Sequence, residues 1–319
     1  LMSVYGIARE ASVILPQFGY KAKLKPYLKG QVFESSKKLD IKITNNVKLC
    51  KRILAVKLED VNLGPSPSWL SERLIKVGQR PLNNAVDITN YVMWEIGHPI
   101  HVFDYDRINK FVSGEITSKN IVVREAKKGE SLITLDGVKH VLNGGEVVFD
   151  DGNGEIIDLP GIMGTANTVV TPETKNVLLW IESVDPFRIR RASMSLGIRS
   201  QAAILNEKQV DPELGLPAIL SAVELFEKIT KARTKSKLVD IYPSFYGTKK
   251  VKTTKDFINQ RLGIELSRDQ IKNILQGLEF EVNWTGNNIE VSIPSFRVND
   301  VAIPEDVIEE IARIYGYHK

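Results

Sequence analysis

Four carboxylates close to the C-terminal end are spaced as a ligand set would be. Asp306, Glu309 and Glu310 fall at i, i+3 and i+4, on one face of a helix, and Asp300 precedes them in a stretch short enough to converge on that face. Val307, Ile308, Ile311 and Ile314 occupy the opposite face and should pack inward. Oxygen-only ligands suit a hard cation such as Mg2+. Like charges this close repel, so a cation or a basic partner must neutralise them. Spacing alone leaves a third account open, because acids near a helix N-terminus are favoured by its macrodipole by about 0.3–1 kcal/mol each.

The elements that must carry this set are legible around it. Pro304 suits the first turn of a helix. Ahead of it, Phe280 to Trp284 and Ile289 to Ile293 read as two strands joined by a Gly286-Asn287 turn. Ser267-Arg268-Asp269-Gln270 is a capping box opening a helix to about Leu275. Further upstream, Pro212 to Ile229 is helical, with Leu216, Ile219, Leu220, Val223 and Phe226 on one face. From Val47 to Val210 strand-like runs such as Ile53 to Leu58 and Glu146 to Phe149 alternate with Gly-rich turns, and a helix is predicted from Ser66 to Val77. Residues Ser3 to Leu15 repeat apolar positions at helical spacing, and a Lys-rich stretch follows. The expected class is α+β, divided as 1–45 (helix end and basic linker), 46–211 (mixed-sheet domain), 212–241 (bridging helix and linker) and 242–319 (small module).

Composition narrows the function classes. No apolar run approaches the ~18 residues a spanning helix needs, and no signal-like segment opens the chain. A lone Cys50 excludes an internal disulfide and a Cys-based zinc site, which suits a reducing, cytoplasmic setting. No phosphate-binding glycine fingerprint occurs. Net charge is +4, but lysines crowd residues 21–52 and 228–255, as a phosphate-contacting surface or a solvated linker would. The chain opens on Leu1 and stops just past a helix-like stretch, so an internal piece of a longer chain is expected.

The stretch from Pro294-Ser295-Phe296-Arg297 through Pro304-Glu305-Asp306-Val307-Ile308-Glu309-Glu310-Ile311 closely resembles the fifth module of phenylalanyl-tRNA synthetase β subunits. Asn84-Ala85-Val86-Asp87-Ile88-Thr89-Asn90-Tyr91, Gly97-His98-Pro99-Ile100-His101, Leu159-Pro160-Gly161-Ile162-Met163-Gly164, Thr171 to Leu179 and Val210 to Leu214 resemble that family's editing domain, in the family's order. The resemblance covers nearly the whole chain. It implies a mixed-sheet editing domain followed by a small, helix-rich, winged-helix-like α+β module. It implies that the four acids bind Mg2+ at the junction with the catalytic α subunit. It also implies a heterotetramer of two α and two β chains, tRNA(Phe) as partner, and ATP-dependent aminoacylation by the holoenzyme, with ATP not bound by this stretch.

For the editing domain the resemblance implies hydrolysis of mischarged Tyr-tRNA(Phe). Arg80 and His101 match polar site positions, Gly161 to Gly164 a pocket loop, and Ala202 a small pocket residue. Three departures stand out. The family's acid that recognises the tyrosine hydroxyl directly follows the Asn-Val-Leu-Leu block, where this chain has Trp180. Glu182, on the same face of a strand, is the candidate to replace it. Gln201 replaces an acid before the alanine, and Ala203 and Leu205 fall where a serine and an arginine usually do. An editing-inactive scaffold and RNA-binding piece of the same synthetase is therefore the alternative. A free-standing nucleic-acid-binding protein is a third reading, drawn from the basic runs.

Overall fold

The computed structural model describes residues 2–25, 27, 37–110, 119–243 and 247–317. In chain order the helices are α1 (Val4–Ile14), α2 (Ser68–Lys76), α3 (Asn84–Ile96), α4 (Tyr105–Lys110), α5 (Pro186–Leu196), α6 (Gln201–Asn206), α7 (Gly215–Thr230), α8 (Lys255–Leu262), α9 (Arg268–Gly277) and α10 (Pro304–Tyr315). The strands are β1 (Ile41–Thr44), β2 (Cys50–Glu59), β3 (His101–Asp104), β4 (Lys119–Glu125), β5 (Ser131–Ile133), β6 (Lys139–Val141), β7 (Val147–Asp150), β8 (Ile156–Leu159), β9 (Met163–Gly164), β10 (Val177–Val184), β11 (Arg233–Thr234), β12 (Val239–Ile241), β13 (Lys250–Thr254), β14 (Glu281–Thr285) and β15 (Asn288–Ser292). Contacts divide the chain into residues 28–244 and residues 1–27 with 245–319. The N-terminal helix, which the sequence reading sets apart with the basic linker, thus groups with the C-terminal module.

In the larger unit one sheet runs β11-β2-β10-β3, with β12 also along β2, and a second runs β1-β4-β7-β8-β9. The β1–β4 pair is parallel and its neighbours are antiparallel, so the α+β class with a mixed sheet holds. The middle of β2, Ile53–Val56, and the start of β10, Val177–Ile181, are continuous apolar runs because both of their faces are covered. On one face Ile53, Ala55, Leu178 and Trp180 join the core that includes Phe149 and Ile157 of the second sheet. On the other, Leu54 and Ile181 meet α7. Gly215 is needed there, since a Cβ would come within 2.7 Å of Leu54. The helix predicted from Pro212 begins as a 3-10 turn, Pro212–Leu214, capped by Asp211, before α7 proper. Buried Arg52 fastens this end of the sheet: its guanidinium donates to Asp240 at 2.8 and 3.0 Å and to the Pro212 carbonyl at 2.8 Å.

In the smaller unit β13-β15-β14 form a three-stranded sheet covered by α8, α9 and α10 around Ile271, Leu275, Ile289, Val291 and Ile311. The Ser267–Gln270 capping box forms as the sequence predicts. α1, capped by Ser3, packs on α9 where Gly277 leaves room for Val13.

Candidate active site

A cleft of about 240 Å3 opens in the larger unit, and residues from widely separated stretches line it. Val86, Thr89, Asn90 and Met93 of α3 form one wall, His101 and Val102 of β3 another. Asp158 and Leu159 of β8, the Gly161–Gly164 turn, Glu182 of β10, and Ser200, Gln201 and Ala202 at the start of α6 complete it. The sequence blocks therefore divide by role. Asn84 and Asp87 hold the entry to α3: Asn84 bridges Gly64 and Asn62, and Asp87 accepts from Ser66 at 2.6 Å and from the Leu82 amide at 2.8 Å. Thr89 and Asn90, a turn further along, face the cleft.

The glycine turn is held from three sides. The Gly161 amide donates to Glu182 Oε1 at 2.8 Å, Asn206 Nδ2 donates to the Gly161 carbonyl at 3.0 Å, and the Ser200 hydroxyl donates to the Ile162 carbonyl. Gly161 has φ +70°, and a Cβ there would lie 2.7 Å from Ile189, so the residue is required on both counts. Gly164 is required by His101: a Cβ would lie 2.6 Å from the imidazole Cε1. The imidazole packs edge-on against Phe103 with ring centroids 4.2 Å apart. It is partly exposed at the cleft, and burial pushes its pKa down to about 4, so it is a neutral base or donor at physiological pH.

Trp180 and Glu182 share a face of β10, as the two-residue period requires. Trp180 is fully buried against Phe103 and Phe149, outside the cleft lining. Glu182 is 7% exposed and lines the cleft. Burial pushes its pKa up to about 8 despite the Gly161 amide. His101, Gly161, Gly164, Glu182 and Ala202 are thus brought together. Arg80 is not: it is exposed, and its neighbour Gln79 lines the cleft instead. Sequence reasoning also missed Asp158, which carried no motif signal.

The C-terminal acids do not converge as their spacing suggests. Glu310 is 4% exposed and belongs to the packed side of α10 with Val307 and Ile311. Its oxygens accept from Arg297 Nη1 and Nη2, each at 2.8 Å, and from Arg313 Nε at 3.0 Å. Asp300 accepts from Arg297 Nε at 2.8 Å. Asp306 Oδ2, at the third position of α10, reaches back to accept the backbone amides of Ala302 and Ile303 at 2.7 and 3.0 Å, as the acid of a capping box does. Glu309 faces solvent. Among the described residues no group of three or more Asp, Glu, His or Cys side chains is arranged to hold a metal ion. The neutralising partners in place are the Arg297 and Arg313 guanidiniums, and the set as placed does not fit Mg2+.

The sequence profile of the B3/4 domain family matches residues 49–231, and that of the tRNA synthetase B5 domain matches residues 251–317. The phenylalanine–tRNA ligase β subunit of Thermotoga maritima is 37% identical over 318 residues, 100% of this chain and 38% of that protein. The corresponding subunit of Clostridium tetani is 34% identical over 323 residues, 99% of this chain and 38% of that protein. A solved N-terminal fragment of the phenylalanyl-tRNA synthetase β subunit from Pyrococcus horikoshii covers 91% of this chain and 79% of its own, at 16% identity and a TM-score of 0.41. The chain thus spans well under half the length of the curated relatives it matches. Through its B3/4 domain, followed by a B5 domain, it belongs to the phenylalanine–tRNA ligase β subunit family.

Proposed function

We propose that the larger unit hydrolyses mischarged Tyr-tRNA(Phe) and spares Phe-tRNA(Phe), within a synthetase whose α subunit carries ATP-dependent aminoacylation. The observation that supports this most is the meeting of His101, the Gly161–Gly164 turn, Glu182 and Ala202 in one cleft. A cavity of ~150 Å3 holds a benzene ring, so about 240 Å3 has room for an aromatic side chain and its hydroxyl. Selection of this kind is needed because an apolar pocket rejects an isostere with an added hydroxyl by only ~10²-fold. A site that hydrogen-bonds the hydroxyl discriminates far more strongly, since its polar groups stay unpaired without it.

The ester of an aminoacyl-tRNA is activated, so a positioned water suffices and no covalent nucleophile is required. His101 at the partly exposed side of the cleft is the group to orient that water or the terminal ribose; its neutral state lets a ring nitrogen accept a proton. Glu182, one pleat along from Trp180, takes the hydroxyl-reading place. The lysine-rich stretches and the smaller unit are the parts that would meet tRNA and the α subunit. The test is deacylation of Tyr-tRNA(Phe) and Phe-tRNA(Phe) by the full heteromeric enzyme and by its His101→Ala form. Selective tyrosyl hydrolysis lost on substitution sustains the reading.

An editing-inactive scaffold is the second reading. It is favoured by Trp180 filling the core and by Arg80 standing off the cleft. Failure of the intact enzyme to hydrolyse either ester would establish it.

A further inference from the structure

We propose that Asp158 is a specificity residue, forming with Glu182 a paired-carboxyl end of the cleft that takes the hydrogen-bond donor at the tip of a tyrosyl side chain. The inference rests on the editing reading above for its substrate class.

The two carboxyls come from different sheets. Asp158 lies on β8, opposite Gly164 of β9 and Phe149 of β7. Glu182 lies on β10, opposite Ile53 of β2. Both line the same cleft. Asp158 is 2% exposed, and its Oδ1 has no hydrogen-bond partner among the described residues. An unpaired buried acceptor is costly, by roughly 1–3 kcal/mol or more for a charged group, unless something occupies it. Among the described residues no lysine or arginine lines this cleft, and its one histidine, His101, is neutral. The pair is therefore not a structural ion pair. Burial and the neighbouring Glu182 charge both drive the Asp158 carboxyl well above the usual carboxylate range, and Glu182 is itself raised. Like charges in one dry site keep at least one proton on the pair. Such a pair both donates and accepts, which suits a neutral hydroxyl.

Depth assigns the ends of the ligand. His101 and Ala202 are partly exposed, whereas Asp158 and Glu182 are buried. An aminoacyl ester keeps its bulky tRNA outside, so the ester and α-amine stay near His101 and the side-chain tip reaches the carboxyls.

The experiment is deacylation of Tyr-tRNA(Phe) and Phe-tRNA(Phe) by the full heteromeric enzyme carrying Asp158→Asn or Asp158→Leu, beside binding of tyrosinamide and phenylalaninamide by ligand-observed NMR. The expected result is a tenfold or greater loss on the tyrosyl ester and tyrosinamide with Leu, less with Asn, and an unchanged or raised response to the phenylalanyl forms. Equal losses on both would place the carboxyls at the α-amine or in the fold and overturn the proposal, as would no change. If the unmodified enzyme hydrolyses neither ester, editing fails as a reading, and amide binding alone decides: a tyrosinamide preference lost in Asp158→Leu keeps the hydroxyl site, and equal affinities remove it.

Discussion

Replacing Glu310 by Gln tests whether the C-terminal acids are held by arginine. The side chain is 5% exposed, and Arg297 and Arg313 around it are 19% and 25% exposed. Removing one partner of a buried ion pair costs ~3–5 kcal/mol, because the remaining charge is stranded. Here each guanidinium keeps a second acid, Asp300 for Arg297 and Glu10 for Arg313, and a water-facing edge. The expected cost is thus about 2–3 kcal/mol, a loss of protection of roughly 30-fold or more at 1.4 kcal/mol per decade. Amide exchange of Val307 and Ile311 in α10 reads this locally, without assuming that both units melt together. Asp300→Asn is the contrast: its carboxylate side chain is 58% exposed, so the change should stay under about 1 kcal/mol. Protection of Glu310→Gln within twofold of the unmodified chain, or an equal loss from Asp300→Asn, would refute the arginine account. The arginines hold the Glu310 carboxyl below its ordinary range against the opposing effect of burial. Its contribution is thus fully present above the unfolded pKa of ~4.3 and lost as pH falls through the lower folded value.

Gly164→Ala should displace His101, whose Cε1 would lie 2.6 Å from the new Cβ. We expect tyrosyl-ester hydrolysis to fall at least tenfold in single-turnover assays, for a stability cost of about 1–3 kcal/mol. Glu182 prefers its proton in the fold, with a pKa near 8 against an unfolded ~4.3, so its contribution is complete at low pH and is lost as pH rises through 8. Urea midpoints of the larger unit should therefore fall as pH rises from about 5 to 8 and level off above that, and Glu182→Gln should flatten the fall. Arg52→Met strands Asp240 and the Pro212 carbonyl, and should cost about 3 kcal/mol in the same urea assay. Millimolar Mg2+ should leave α10 exchange unchanged in this chain by itself; protection rising with Mg2+ would show that the acids can rearrange.

The sequence carried the elements more fully than their meeting points. Ser267 and Gln270 announced α9 because a capping box is a local contract between residues three apart. The two-residue period places Glu182 on the face of Trp180, and of the two Glu182 lines the cleft while Trp180 fills the core beside it. The spacing of the acids does not by itself show which cation neutralises them. Arg313, one turn beyond Glu310, and Arg297, across the loop, turn a ligand pattern into an ion-pair network. Asp158 gave no signal, since an acid in the run Ile156-Ile157-Asp158-Leu159 is meaningful only once β8 is known to border β9 and the cleft. The grouping of α1 with the last module was likewise invisible, because it depends on Val13 meeting Gly277, far away in the chain.

The pairing of β2 has a consequence for synthesis. Among the described residues this almost wholly buried strand pairs with β10, β11 and β12, all more than a hundred residues downstream. On a ribosome adding ~10 residues per second, β2 would wait on the order of 10 s for its first partner strand, with the face that α7 covers open for longer still. A nascent chain stalled between Glu59 and Val177 would thus present a sticky strand edge to any neighbour, and chaperone contact should end only once β10 has paired with Ile53–Val56 and α7 has covered Leu54.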